Sequence, residues 1–369
     1  MVLLIINCGS SSLKFELRDL SEADPITGDT IRDVTDHARA VEQAIERLRD
    51  DRLLERLEAL SHRVVHGGTR FVEPALIDEE VLGQLRRLAE LAPLHNRRAV
   101  AAIEASRRLL GPELPMVASF DTAFHAAMPG HAASYALPHG LAERHSIRRY
   151  GFHGLAHRYM AERYGELRGE DARLITLQLG AGCSAAAIAG GRSLDTSMGL
   201  TPLEGLVMAT RSGDVDPALP AFLEEHEGIG PADAERILNQ DSGLKGVSGR
   251  SGDMRELLEA GDERAELAID LFCYRARKYI GAYLAVLGGS DAIVFGGGVG
   301  ENSPPVRSRI CAGMGWCGLE LDEDQNALAV GKEMRIDGGG PMEAWVVLVD
   351  ESKVMARDAQ ALLGGREQP

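Results

Sequence analysis

The sequence predicts an α/β protein built from two similar halves, and three features of its 369 residues carry that prediction. Val2 to Ile6 is an unbroken apolar run that turns polar at Asn7-Cys8-Gly9-Ser10-Ser11-Ser12 and then alternates through Leu13-Lys14-Phe15-Glu16-Leu17. That is a buried strand, a tight loop and a half-exposed second strand. The arrangement returns where Leu174 to Leu179 meets Gly180-Ala181-Gly182-Cys183-Ser184, and the next strand reaches Gly190-Gly191 and Arg192-Ser193-Leu194-Asp195. Elsewhere strand-like and helix-like segments alternate, as in α/β architecture.

Taken in order, Ser21 to Asp33 is polar, holds Pro25 and Gly28, and reads as connecting turns. Ala38 to Leu60 has helical spacing at Val41, Ala44, Ile45, Leu48, Leu53, Leu54 and Leu57, interrupted near Asp50-Asp51. Val64-Val65 is a short strand before Gly67-Gly68. Asp78 to Leu91 and Asn96 to Leu110 are helical patterns separated by Pro93, with Asn96 placed to cap the second and Gly111-Pro112 ending it. Met116 to Phe120 is a strand that stops at Asp121, and a domain boundary is expected between about Asp121 and Tyr150. Leu155 to Leu167 and Asp262 to Leu287 are helical. Asp291 to Phe295 is a buried strand running into a loop from Gly296 to Ser303, and Pro304-Pro305 begin a helix. Trp345 to Val349 is the last strand and Glu351 to Leu363 the last helix.

The composition, 44% hydrophobic and 26% charged, is that of a soluble globular protein. A net charge of −16 argues against nucleic acid or an anionic membrane as partner, and it requires a local basic cluster to capture any anionic substrate. Five cysteines without C-x-x-C spacing, and an opening apolar run too short for a signal peptide, suggest reduced thiols in a cytoplasm. No apolar stretch of about 18 residues is present, so no membrane span is expected.

Three glycine-rich loops at strand ends suit a nucleotide held by backbone N–H groups. None matches the Walker pattern, and Gly296 to Gly300 fit G-x-G-x-x-G poorly, which weakens both a P-loop enzyme and a dinucleotide-binding dehydrogenase. In the first loop three hydroxyls and Lys14 suit phosphate, although a Ser-rich hairpin of ordinary kind has the same residues. Arg63 ends a strand before Gly67-Gly68 and Arg211 lies in the polar loop Thr210-Arg211-Ser212-Gly213-Asp214. Both suit bidentate capture of a carboxylate or phosphoryl group, and both suit a structural ion pair. Asp121 sits at the carboxyl edge of a strand, where active-site carboxylates of α/β proteins collect and where a helix cap also sits. His153, bracketed by Gly151 and Gly154 with Phe152 between, fits a binding loop or a satisfied structural role.

Together with these residues, the ordered motifs Asn7-x-Gly9-Ser10-Ser11-Ser12-x-Lys14, His62 to Gly68, Ala92 to Asn96, Phe120 to His125, Tyr150 to Gly154, Asp195 to Gly205 and Thr210 to Asp214 resemble the acetate kinase family over nearly the whole chain. The resemblance implies two actin-like (ribonuclease H-like) domains with mixed sheets flanked by helices and an active-site cleft between them. Residues 1–121 with 350–369 would form the first domain and 122–349 the second, with nucleotide-binding and dimer surfaces. It implies direct in-line phosphoryl transfer from ATP to acetate, reversibly, in a cytoplasmic homodimer that needs Mg2+ or, in its place, Mn2+. By resemblance Asn7 and Glu351 position the metal, Arg63 and Arg211 hold substrate and phosphoryl group, Asp121 orients the acetate site and His153 stabilises the transition state. Val65, Leu94, Phe152 and Pro202 match the methyl pocket. Asp253, Met254 and Arg255 match the adenosine site, Gly296, Gly297, Gly298, Val299 and Gly300 lie beneath the nucleotide, and Lys14, Gln178, Gly180 and Gly182 face its phosphates.

Two departures stand out. The second hairpin of the family reads His-Leu-Gly-Asn-Gly, and here it is Gln178-Leu179-Gly180-Ala181-Gly182, so a cationic donor and an amide are replaced. The stretch from Leu20 to Leu60 is also shorter than in the family. A propionate or butyrate kinase is the near alternative, because one or two methylenes change binding by only roughly 1 to 3 kcal/mol. A nucleotide-binding regulator that has lost catalysis is the alternative from another class.

Overall fold

A computed structural model describes residues 1–9, 11–91, 96–169 and 171–364, and its chain divides into two compact units, residues 1–126 with 350–369 and residues 127–349. The first unit holds strands β1 (Val2–Cys8), β2 (Ser12–Asp19), β3 (Thr27–Arg32), β4 (Ala59–Val64), β5 (Ala75–Leu76) and β6 (Met116–Phe120), in the sheet order β3-β2-β1-β4-β6-β5. The second holds β7 (Arg173–Leu179), β8 (Cys183–Ala189), β9 (Arg192–Thr196), β10 (Ala292–Gly296), β11 (Met334–Arg335) and β12 (Glu343–Val346), in the order β11-β12-β10-β7-β8-β9. Read from the hairpin edge, the two orders coincide. In each, three antiparallel strands lead into two parallel neighbours and end on a short antiparallel edge strand.

β1 is apolar from Val2 to Ile6 because both faces of its sheet are covered. Leu4 and Ile6 join a core with Val41, Ile45 and Ile103 from the helices His37–Asp50 and Asn96–Leu110. Leu3 and Ile5, pointing the other way by strand alternation, are equally buried. Helix Glu351–Gly364 is tied to β4, where Ser61 Oγ donates to the Met355 carbonyl at 3.5 Å, and to β6, where Ser119 Oγ donates to Asp358 at 2.8 Å. Each such buried Leu or Ile contributes roughly 1.5 to 3 kcal/mol of transfer free energy.

Several local expectations change. Thr27–Arg32, read as turns, is an edge strand, and its polar residues stay half-exposed while its backbone pairs with β2. The pattern from Ala38 to Leu60 divides into a helix that ends at Asp50, a short turn Leu53–Arg56 and the start of β4. Asn96 does not act as a helix cap. Its amide is buried and clamps the His66 backbone, accepting from the N–H at 3.0 Å and donating to the C=O at 2.8 Å. The glycine run after β10 is the one-and-a-half-turn helix Gly297–Asn302, entered through Gly297 at φ 77°, a conformation only glycine adopts freely. Among the described residues no helix is long and apolar enough to cross a membrane.

Candidate active site

In the first unit three adjacent parallel strands end together. The pairing of β1 with β4 places Ile6 beside His62, and that of β4 with β6 places Val64 beside Phe120, so Asn7, Arg63 and Asp121 gather at one carboxyl edge of the sheet. Arg63 forks onto Asp121, Nε to Oδ1 at 2.8 Å and Nη2 to Oδ2 at 2.6 Å, and its Nη1 donates to Asn7 Oδ1 at 3.0 Å. Asn7 Nδ2 donates to Glu351 Oε2 at 2.8 Å, and Glu351 lies 3.9 Å from Arg63. Burial works against the Arg63 charge, but Asp121 and Glu351 outweigh it and hold the guanidinium's pKa above its ordinary range. Asp121 is almost fully buried, whereas Glu351 keeps 18% of its side chain exposed. Lys14 faces Asn7 across the β1–β2 ladder, half-exposed and 3.8 Å from Glu16. Val65 follows β4, and Leu94 lies outside the described residues.

Two oxygen donors, the Glu351 carboxylate and the Asn7 carbonyl, fit Mg2+. That ion keeps several waters and takes only one or two protein oxygens beside substrate phosphate. No group of three or more His, Cys, Asp or Glu side chains that could hold a metal ion occurs among the described residues. Burial pushes the thiol of Cys8, next to Asn7, up to about 12.

In the second unit β7 and β10 end side by side, with Gln178 opposite Gly296. The loop after β7 and the helix Gly297–Asn302 border a cavity of about 580 Å³ that is also lined by Asp253, Met254 and Arg255. The structure brings Gly180, Gly298 and Val299 together with those three residues, while Gln178, Gly182, Gly296, Gly297 and Gly300 are not among the residues lining this cavity. Asp253 has a local task as well: it caps the helix Met254–Ala260 and pairs with Arg255 at 3.0 Å. Leu244, Asn302 and Ser303 line the cavity too and were not singled out in the sequence.

His153 and Arg211 converge on Gly182. A Cβ built there would lie 2.8 Å from Arg211 Nη2 and 3.4 Å from His153 Nε2. Arg211 is held by the Pro202 carbonyl at 2.7 Å, and burial lowers its pKa. His153 has a left-handed backbone, φ 58°, at the mouth of the helix Gly154–Arg168, a conformation rare for a residue with a side chain and found preferentially at working sites. Phe152 before it is buried. Gln178 Oε1 is buried against Gly296 and accepts no hydrogen bond among the described residues.

One cluster escaped sequence reading. Arg149 donates through Nη1 to the carbonyls of Thr196, Ser197 and Met198, each at 3.1 Å, and through Nη2 to Glu204 at 2.5 Å; Glu204 also receives the Tyr135 hydroxyl. This ties the segment leading to His153 to the loop carrying Pro202. Glu204 stood inside a quoted motif, but nothing in its spacing marked Arg149 as its partner.

A model described as the Acetokinase family matches residues 26–357. The acetate kinase of Solibacter usitatus is 46% identical, with all of both chains covered, and that of Chloroherpeton thalassium is 45% identical over 97% of this chain and 98% of its own. Among solved structures, Porphyromonas gingivalis acetate kinase superposes with a TM-score of 0.91 at 39% identity, covering 98% of this chain and 99% of that one. A propionate kinase from Francisella tularensis gives 0.90 at 35% identity, covering 97% and 98%.

Proposed function

The chain belongs to the acetokinase family, and from that membership we propose that it transfers the γ-phosphoryl group of ATP to acetate, reversibly, giving acetyl phosphate and ADP. One observation carries the reading beyond membership. Arg211 Nη2 and His153 Nε2 lie 2.8 and 3.4 Å from where a side chain at Gly182 would begin, one residue from the rim of a cavity of about 580 Å³. Donors fixed before the reaction are what phosphoryl transfer requires, since its barrier is lowered by positioning and by neutralising charge on the equatorial oxygens.

In the direct in-line step a carboxylate oxygen forms a bond to the γ-phosphorus while the bond to the β,γ-bridging oxygen breaks, and ADP leaves with that electron pair. The nucleophile is already an anion, so no proton is removed and no general base is needed. Asp121 accordingly serves as an orienting group, since both its oxygens hold the Arg63 fork. Arg63 and Arg211 bind the anionic reactants as forks rather than point charges. Asn7 and Glu351 would hold Mg2+ or Mn2+, which supplies further neutralisation of phosphate charge when bound. Val65, Phe152 and Pro202 are assigned to the methyl group of the acceptor by the motif resemblance alone.

Acetyl phosphate formed from MgATP and acetate, trapped as the hydroxamate, tests the activity, and kcat/KM for acetate, propionate and butyrate fixes the acceptor. The likeness to a propionate kinase makes propionate the second acceptor to measure. Nucleotide binding without turnover on any of the three would identify a regulator. A cytoplasmic homodimer is part of the proposal, and a monomer at micromolar concentration in sedimentation would reject the dimer.

A further inference from the structure

Behind His153 runs a chain of hydrogen bonds through three buried side chains from three elements. His153 Nδ1 lies 2.9 Å from Ser184 Oγ at the start of β8. The same oxygen lies 2.7 Å from Nε2 of His157, one turn on along the helix, and His157 Nδ1 lies 2.7 Å from Thr176 Oγ1 on β7. His157, Ser184 and Thr176 are fully buried.

We infer that Thr176, His157 and Ser184 are positioning residues that fix the tautomer of His153, so that the proton sits on Nε2, the nitrogen facing Gly182. The inference rests on the kinase reading only for what the proton serves, an anionic phosphoryl group at that nitrogen. Each ring nitrogen's role follows from the bond made by the other. With neutral rings, and with the Ser184 hydroxyl proton used within the chain, the chain runs in one of two concerted directions. In the first, Thr176 donates to His157 Nδ1, His157 Nε2–H donates to Ser184, Ser184 donates to His153 Nδ1, and His153 Nε2–H is left pointing at the substrate side. In the second every arrow reverses, and a lone pair faces the substrate side and repels an anion. Only the first direction makes His153 a donor where Arg211 is also aimed.

The chain is read directly by long-range 1H–15N correlation on full-length protein carrying 15N-labelled histidine, with the His153 ring assigned from its loss in His153→Gln. At pH 8 a neutral Nε2–H ring is expected for His153, and Ser184→Ala should convert it to a mixture of tautomers. Because the spectrum needs no turnover, a chain inactive toward carboxylates would still report the tautomer, and the two readings fail separately. In the active enzyme Ser184→Ala should lower kcat about five- to tenfold, the worth of one hydrogen bond's bias, with the KM for ATP unchanged. Ser184→Thr, which restores a hydroxyl, should return most of the rate. If Ser184→Ala does not fold, the near-isosteric Thr176→Val gives the same reading at the far end of the chain. An Nδ1–H or cationic ring in the unaltered protein would overturn the inference, as would an Nε2–H ring and full kcat retained in Ser184→Ala.

Discussion

Adding a single methyl group at Gly182 should separate catalysis from stability. Gly182 is not among the glycines with positive φ, so alanine there strains no backbone. The new Cβ would sit 2.8 Å from Arg211 Nη2 and 3.3 Å from His153 Cε1. Non-bonded heavy atoms settle at about 3.5 Å or more, so the guanidinium must withdraw by roughly 0.7 Å, and the end of a long side chain can do so without disturbing the fold. The bond to the Pro202 carbonyl, now 2.7 Å, would lengthen with it. Since misplacing a reacting or binding group by about 1 Å costs on the order of a hundredfold, Gly182→Ala is expected to lower kcat ten- to a hundredfold. Stability should be unchanged or higher by about 0.4 to 1 kcal/mol, because alanine narrows the unfolded ensemble. Gly83→Ala, whose Cβ meets nothing within 4 Å, calibrates that gain. The assays are steady-state formation of acetyl phosphate and calorimetric Tm. A kcat within threefold of the parent would refute the convergence of the two donors on this residue, and a lowered Tm would show that the fold yields instead of the side chain.

Arg63→Ala and Arg211→Ala should each reduce kcat by about a hundredfold or more, and Arg63→Ala should also raise the KM for acetate; near-normal kinetics in either would remove that arginine from the mechanism. Gln178→His is expected to raise kcat about five- to thirtyfold below the pKa of the new ring, the difference of roughly 1 to 2 kcal/mol between charged and neutral hydrogen bonds, and an unchanged or lower rate at every pH would mean that the loop is adapted to glutamine. Burial pulls the pKa of His62 down to about 3 and that of His66 to about 4, and His66 Nδ1 accepts the Gly68 N–H at 2.9 Å, as only an unprotonated nitrogen can. Both rings stay neutral in the folded unit yet take up a proton below about pH 6.5 once unfolded. Their stabilisation is therefore complete above that pH and is lost toward pH 4, at up to about 3 kcal/mol per pH unit for the pair. Carboxylates with lowered pKa act only at lower pH, so urea midpoints that match at pH 7.5 and pH 5 would contradict the neutral rings.

How much was legible follows from where each signal lies. β1, β6 and the helix Asn96–Leu110 declare themselves because burial on one or both faces writes itself into apolar runs and periods. β3 does not, since an edge strand of Thr27-Gly28-Asp29-Thr30-Ile31-Arg32 is held by backbone bonds that leave no mark on composition. Asp121 and Arg63 could be placed at strand ends, but their fork depends on the register between β4 and β6, which only the fold supplies. Motif resemblance located His153. His157, inside the helix that His153 precedes, was not singled out, and Thr176 and Ser184, from two strands, are ordinary small polar residues in any linear reading.

The bond between Asn7 and Glu351 joins residues 344 positions apart. During synthesis at roughly 5 to 20 residues per second, Asn7 therefore waits about 20 to 70 s for its partner. The second unit, continuous from Ala127 to Val349, has its whole sequence available before the first is complete, so the half that begins the chain is the last to close. Until helix Glu351–Gly364 leaves the ribosome, the sheet face bearing Leu3 and Ile5 lacks its cover and Asn7 lacks its Glu351 partner. A nascent chain thus carries the cavity of its second unit for some time before its first unit can close.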